Sequence, residues 1–444
     1  PDGEIRARTS SRPARRLAHE PRDRTRHRTR DRFLIHISAS SITNHSIDPL
    51  ARAFAAVPRR LPHTMSRVVV LDLDGTLINT EQLVDEIVGA VILDLDPSLA
   101  PSRVHDVLEK VRGTRPLDAS RAVARELELP ITGEALLERT SPLLNARWRE
   151  VRLMPGARRL LTHLDAHGVR YGLATSTPRA YLAAKMASHG DVLEKMSCVV
   201  TGCAVMRGKP DPEIFTRARE ALGVEAEACV VVEDTPVGCE AARRAGMTTV
   251  AVPSIRDREA FEPWSDDVIH SLYDLDLERY GLPAFTDRIA VGDGSSDRVL
   301  PVPPVVMRGP VVKGFGRGSR VLGIPTANLD VTPLKWEVDS LAPGIYLGWA
   351  SVRGASHAMV MSIGWNPYFD NAKKTIEPWL LHEFDDDFYG EELSVVVAGY
   401  IRPEADFTTL DALVARIRRD ADVARVMLTR APFAETRALL SRNE

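Results

Sequence analysis

Cysteine is scarce: four residues in 444 (Cys198, Cys203, Cys229, Cys239), with no C-x-x-C pair among them. That excludes a disulfide-stapled secreted scaffold and leaves a zinc site poorly supported. The four are expected to be small buried residues in a reducing, cytoplasmic setting. No stretch approaches the roughly 18 apolar residues that a membrane helix needs, so no membrane span is expected. Aromatics are almost missing from residues 1–64, which carry 14 Arg against 6 acidic residues, with Phe33 and Phe54 the only Phe, Trp or Tyr. A basic arm so poor in stacking groups is a weak candidate for nucleic-acid binding. "RDRTRHRTRDR" (Arg22–Arg32) has no apolar period and is expected to be disordered. It reads as an organelle transit peptide or as sequence outside the native coding region, since the first methionine is Met65. Both standard phosphate templates are missing too: no Walker loop ends in Gly-Lys-Ser/Thr, and no Gly-x-Gly-x-x-Gly joins a strand to a helix.

What is present becomes orderly from Met65. "RVVVLDLD", "VRYGLATST", "CVVTG", "ACVVVED" and "TTVAVPS" are β-branched apolar runs of the kind buried on both faces of a parallel sheet. Helical segments separate them (Pro155–His167, Pro178–His189, Pro212–Leu222, Pro236–Ala245), each with Pro at or near its first turn. This alternation predicts a doubly wound α/β sheet. Residues 80–153 read as helices alone, with apolar spacing near 3.6. An all-helical insertion straight after strand one is a cap over the carboxyl ends of the strands, where such sheets bind ligands.

Those strand ends carry the chemistry. Asp72 and Asp74 follow strand one, and a spacing of two puts both on one side of an extended chain. Thr175 ends strand two, Lys209 precedes a helix, and Glu233-Asp234 end the fourth strand. Any one of these is a common turn or cap residue. Two carboxylate pairs and a lysine at one sheet edge can together hold Mg²⁺ and a phosphate, with one Asp attacking phosphorus and the other handling the proton. The ordered set resembles the haloacid dehalogenase superfamily of phosphatases, over Ser66 to Leu277. The resemblance implies Asp72 as nucleophile, Asp74 as general acid/base, and Thr175 and Lys209 on the phosphoryl group. It also implies a Mg²⁺ site from Asp72, the Asp74 carbonyl and Asp234, with Glu233 beside it. "VRGTRP" (Val111–Pro116) stands where that family's cap reaches the active site.

After Leu277 the periodicity lapses, and residues 281–306 read as a linker. Beyond it, "VMRGPVVKGF", "GIYLGWASV", "HAMVMSIGW" and "LSVVVAGYI" are short strand candidates with no helices between them. A single amphipathic helix, "TLDALVARIRRDADVARVML", follows, which argues for a small antiparallel β-barrel with a terminal helix. In "GFGRGSRVLGIPTANLD" (Gly314–Asp330), Gly314, Gly316 and Gly318 can form a nest of backbone N–H groups facing phosphates, with Arg317 and Arg320 adding charge. Thr326 and Asn328, two apart beyond Pro325, can offer oxygens to one Mg²⁺. A glycine-bulged hairpin is the alternative for that stretch alone. Glu377, set between Ile376 and Pro378, is a carboxylate in apolar surroundings and a candidate general base.

The pieces "GFGRGSRVLGIPTAN", "GIYLGWA", "MSIGWNPY", "TIEPWLLHEF", "DFYGEEL" and "GYIRPE" resemble eukaryotic riboflavin kinase, over Met307 to Ala434. The resemblance implies ATP-dependent phosphorylation of riboflavin to FMN. Glu377 would take the hydroxyl proton, Thr326 and Asn328 would hold Mg²⁺, the glycine loop and Arg320 would cover the nucleotide, and Arg402 would sit against the flavin. A phosphatase joined to a riboflavin kinase in this order resembles a fusion of plants and algae whose phosphatase half hydrolyses FMN. The expected partners are therefore riboflavin, FMN and ATP/ADP, with no nucleic acid or membrane, and the sequence names no oligomeric state. The expected organisation is an arm (1–64), a phosphatase domain (65–280, cap 80–153), a linker (281–306) and a kinase barrel (307–444). Two rivals for the first half are a sugar-phosphate phosphatase and a non-catalytic scaffold.

Overall fold

The computed structural model describes residues 67–255, 257–313, 324–365 and 374–441; the arm lies outside them. Six strands form one parallel sheet: β1 (Val68–Leu71), β2 (Tyr171–Thr175), β3 (Cys198–Thr201), β4 (Cys229–Glu233), β5 (Thr248–Ala251) and β6 (Asp267–Val268), in the order β3-β2-β1-β4-β5-β6. Every side chain of β1 is buried, as an apolar run without alternation requires when helices cover both faces. Leu71 pairs with Leu173 on one side and Val232 on the other. The ends of β1, β2 and β4 thus lie side by side, which sets the site.

Between β1 and β2 stands the cap: α1 (Glu81–Leu95), α2 (Pro101–Lys110), α3 (Pro116–Glu126) and α4 (Gly133–Arg147). Pro101 and Pro116 open their helices at the first turn, where a missing N–H costs nothing. The cap has its own core around Ile92, Val107 and Leu136. Its two connections to the sheet are held together by an antiparallel bridge between Ile78 and Leu153. The first helix after β2 is shorter than the expected Pro178–His189: it spans Arg179–Lys185 (α5), and a separate turn of helix follows at Gly190–Glu194.

The second sheet is antiparallel, in the order β12-β11-β10-β13-β8-β7, built from β7 (Ile289–Ala290), β8 (Arg298–Val312), β9 (Asn328–Leu329), β10 (Gly344–Val352), β11 (Ala355–Trp365), β12 (Lys374–Leu380) and β13 (Glu392–Arg402). Strand β9 pairs with β8, and the Ala327 N–H donates to the Pro378 carbonyl of β12 at 2.9 Å. That bond closes the barrel. A C-terminal helix, α6 (Leu410–Met427), covers one side through Ala421, Ala424 and Met427.

Two expectations need correction. The segment 281–306 is not all linker, because β8 begins at Arg298. Its prolines hid the start of the strand: Pro301, Pro303 and Pro304 lie between the ends of β8 that β7 and β9 touch, a stretch with a free edge on the side away from β13, where a missing N–H breaks no ladder. The cysteines are not all buried either. Cys229 and Cys239 are, Cys198 is half-buried, and Cys203 is exposed. No described helix is long and apolar enough to cross a membrane.

The segment before β8 joins the two units. Tyr273 packs into the barrel core, the Tyr400 hydroxyl of β13 donates to Asp274 at 2.9 Å, and Arg159 grips Asp287 through two bonds of 2.6 and 2.8 Å.

Candidate active site

The parallel sheet gathers three acids and a lysine. Lys209 Nζ donates to Asp72 Oδ1 at 2.5 Å and to Glu233 Oε1 at 2.6 Å, and its side chain has no exposure. The other Glu233 oxygen accepts from the backbone N–H and hydroxyl of Thr235, at 2.6 and 2.9 Å. Asp234 Oδ1 accepts from the Thr76 hydroxyl at 3.0 Å, but Asp234 Oδ2 is buried and has no hydrogen-bond partner. Gly75, with φ of 84°, is required twice over: its backbone is left-handed, and a Cβ would run into the Asp234 carboxylate.

One oxygen each from Asp72, Glu233 and Asp234 lies within 4.8 Å of the others. Three buried carboxylates beside one ammonium leave excess negative charge. Burial pushes Asp72 up to about 7 although Lys209 pulls it down, and burial, then Glu233 and Asp72, raise Asp234 well above the carboxylate range. An orphaned carboxylate oxygen among excess negative charge is what a divalent cation with oxygen ligands would satisfy.

Asp74, two residues on, is held differently. Its carboxylate accepts from Thr177 (2.5 Å), Lys185 (2.6 Å) and Thr80 (2.8 Å). Burial alone would raise this acid, yet the ammonium and hydroxyls hold it below its ordinary value. Thr175 is fully buried at the end of β2, and its hydroxyl oxygen accepts the Thr177 N–H at 3.0 Å. Asp72, Asp74, Thr175, Lys209, Glu233 and Asp234 are therefore brought together.

Sequence reasoning missed the second layer: Thr80, Thr177, Lys185 and the pair Glu81–Arg112. Arg112, from "VRGTRP", reaches Glu81 at 2.8 Å and Asp85 at 2.7 Å, and donates to the Ser254 carbonyl at 2.7 Å. The Ser176 hydroxyl donates to the Gly113 carbonyl at 2.7 Å. The α2–α3 loop is thus seated on the sheet. Under it lies a cavity of about 160 Å³ with Asp72 and Asp74 at its polar end. Val88, Leu108, Leu136, Leu144 and Trp148 form an apolar wall, with Ser120, Thr140, Ser141 and Asn145 set among them.

In the barrel, Glu377 on β12 pairs with Ser362 on β11, and burial raises its carboxyl above the ordinary range. The Ala327–Pro378 bond sets Thr326 and Asn328 beside that strand, one residue either side of Ala327. Glu377, Thr326 and Asn328 therefore share one region. Gly314, Gly316, Gly318 and Arg320 lie outside the described residues. Arg402 gives Nε and Nη2 to Asp420 of α6 and Nη1 to the Pro403 carbonyl, with Phe407 5.8 Å from its guanidinium. Its charge is thereby balanced within the protein. Two further groups escaped sequence reasoning: burial pulls Lys374 down to about 8 and pushes Glu404 up to about 7.

Comparison with known proteins matches both halves. The haloacid dehalogenase-like hydrolase family model fits residues 66–246, and the riboflavin kinase (flavokinase) model fits residues 302–428. The riboflavin kinase of Homo sapiens is 49% identical over 126 residues, 28% of this chain and 81% of that one. The bifunctional riboflavin kinase/FMN phosphatase of Arabidopsis thaliana is 41% identical over 375 residues, 84% of this chain and 95% of that one. With both folds, in that order, matched along nearly the whole of that relative, the chain belongs to the bifunctional riboflavin kinase/FMN phosphatase family.

Proposed function

We propose that the chain runs two opposed reactions: its barrel (307–444) transfers phosphate from ATP to riboflavin, and its α/β unit (65–280) hydrolyses FMN. The observation that carries this reading is the presence of two separate acid sites on two sheets that share no strand, Asp72–Asp74 and Glu377.

In the α/β unit, an Asp72 oxygen attacks phosphorus as the bond to the ribityl oxygen breaks, and Asp74 gives that oxygen its proton. Water, losing its proton to Asp74, then attacks the aspartyl-phosphate and frees phosphate. As held by Lys185, Thr177 and Thr80, Asp74 is ionised at rest, and a phosphate dianion arriving beside it raises its proton affinity. Lys209 neutralises the phosphoryl oxygens and Thr175 donates to them. Mg²⁺ would be held by Asp72, Asp234 and the Asp74 carbonyl, with Glu233 behind, and would supply charge neutralisation at the transferring group.

In the barrel, Glu377 takes the proton of the riboflavin hydroxyl that attacks ATP. Thr326 and Asn328 would hold the nucleotide's Mg²⁺, and Gly314, Gly316, Gly318 and Arg320 would cover the phosphates. Arg402 would line the flavin with its face, since Asp420 and the Pro403 carbonyl hold the edge of its guanidinium through Nε, Nη2 and Nη1. Cytoplasmic residence rests on the unpaired cysteines.

An apolar wall of Val88, Leu108, Leu136, Leu144 and Trp148 suits the flavin ring, and Ser120, Thr140, Ser141 and Asn145 beside it can meet the ribityl hydroxyls, which favours FMN over a sugar phosphate with no ring to bury. The test is kcat/KM of the full chain for FMN and for a panel of sugar phosphates. FMN ahead by at least about tenfold, the size of effect a pocket of matched polarity can give, supports the reading. A sugar phosphate ahead of FMN overturns it.

A further inference from the structure

We infer that Lys185 is a specificity-determining residue of the phosphatase, which recognises the ribityl chain of FMN beside the leaving oxygen. The inference rests on the FMN reading above.

Lys185 is the last residue of α5, a sheet helix rather than a cap helix, and it is only 8% exposed. It does not belong to the phosphoryl site, where Lys209 already bridges Asp72 and Glu233. Its Nζ bonds instead to Asp74 Oδ1 at 2.6 Å and to Thr177 Oγ1 at 2.9 Å, and lies 4.7 Å from the centroid of the Trp148 ring. An ammonium has three N–H donors. Asp74 and Thr177 take two, and none of the hydrogen bonds described for the chain uses the third.

Position decides what that donor can meet. Lys185 lines the cap cavity where its two characters join, with Asp74 on one side and Trp148 on the other. The leaving oxygen must come within about 2.6–3.2 Å of the Asp74 carboxylate to take its proton. In FMN the 4′-hydroxyl sits two carbons along, roughly 3 Å from that oxygen where the two oxygens are gauche. A chain that turns this hydroxyl toward Lys185 presents it to a donor held 2.6 Å from Asp74 Oδ1. The chain then runs past Trp148, and the ring meets the apolar wall. A phosphate ester with no hydroxyl at that place would leave the third N–H buried and unmatched, which a binding site penalises.

The bland alternative is that Lys185 only balances the charge of Asp74. The two roles separate in a comparison of FMN with a flavin carrying a 5-phosphopentyl chain, which keeps ring and phosphate but lacks the three chain hydroxyls. The full-length chain and its Lys185→Met and Lys185→Gln variants are assayed for phosphate release from both, with kcat and KM resolved. Kinase activity and the unfolding transition of the same preparations report folding. Wild type should prefer FMN by about thirtyfold in kcat/KM, the effect of one hydrogen bond to a charged donor. Lys185→Met should lose activity on both compounds through Asp74, and its preference should fall below about threefold, with Lys185→Gln between the two. An unchanged preference in Lys185→Met, or no preference in wild type, overturns the inference. If wild type hydrolyses neither flavin, the FMN reading itself falls.

Discussion

The ammonium of Lys209 sits 2.5 Å from the carboxylate of Asp72, with no exposure of the lysine side chain, and the same nitrogen is shared with Glu233. This one buried cation offsets the repulsion of a nucleophile and its neighbours. Lys209→Met removes it and leaves uncompensated buried charge. The expected cost to the α/β unit is about 3–5 kcal/mol in metal-free solution, together with loss of FMN hydrolysis. Calorimetry of both proteins in a chelator checks this; a variant as stable as wild type would show that the acids are already neutral.

Mg²⁺ should act on the same cluster through Asp234, whose Oδ2 lacks a partner. Without nucleotide, a hundredfold excess of Mg²⁺ over its Kd should stabilise the α/β unit by about 2.7 kcal/mol. Asp234→Asn should abolish most of that shift. A full Mg²⁺ response in the variant would place the ion elsewhere.

Glu81 gives a pH signature. Burial pushes it up to about 7, against the pull of Arg112. Between its ordinary value near 4.3 and about 7, the folded chain keeps a proton that the unfolded chain has lost. Stability from this group is therefore present at low pH and falls as pH rises through that window. Glu81→Gln should match wild type near pH 3.5 and melt roughly 5–15 °C higher near pH 8. Thermal unfolding followed across the range would show a constant offset instead if Glu81 titrates normally.

Much of this arrangement is legible in the sequence. A strand buried on both faces must be apolar throughout, so Asp72, Thr175 and Asp234 stand out at the ends of such runs. Glu377 stands out differently, as an acid between Ile376 and Pro378 on a strand with only one face fully buried. Lys185 is not legible, because a lysine at the end of an amphipathic helix is ordinarily solvated; only the fold of that helix under Trp148 brings it to Asp74. Thr177 and Thr80 read as helix caps. Arg112 was in view within "VRGTRP", but its bond to the Ser254 carbonyl joins residues 142 apart, which no local pattern encodes. The start of β8 was hidden by prolines that a free edge tolerates.

In the barrel, Glu377 is the group asked to accept a proton. Glu377→Gln should reduce kinase kcat by about 10²–10⁴, with KM for riboflavin changed only a few-fold. Coupled ADP release measures it. A large rise in KM with kcat intact would make Glu377 a binding residue instead.

The most direct test of the whole account is a cross of two variants with two assays. The full chain, Asp72→Asn and Glu377→Gln are each incubated with Mg²⁺, once with riboflavin and ATP and once with FMN alone, and flavins are separated by chromatography. Asp72→Asn should still make FMN and lose hydrolysis by about a thousandfold or more, while Glu377→Gln should still release riboflavin from FMN and make almost none. If either substitution removes both activities in a folded chain, or if Asp72→Asn hydrolyses FMN as wild type does, the assignment of two independent sites is contradicted.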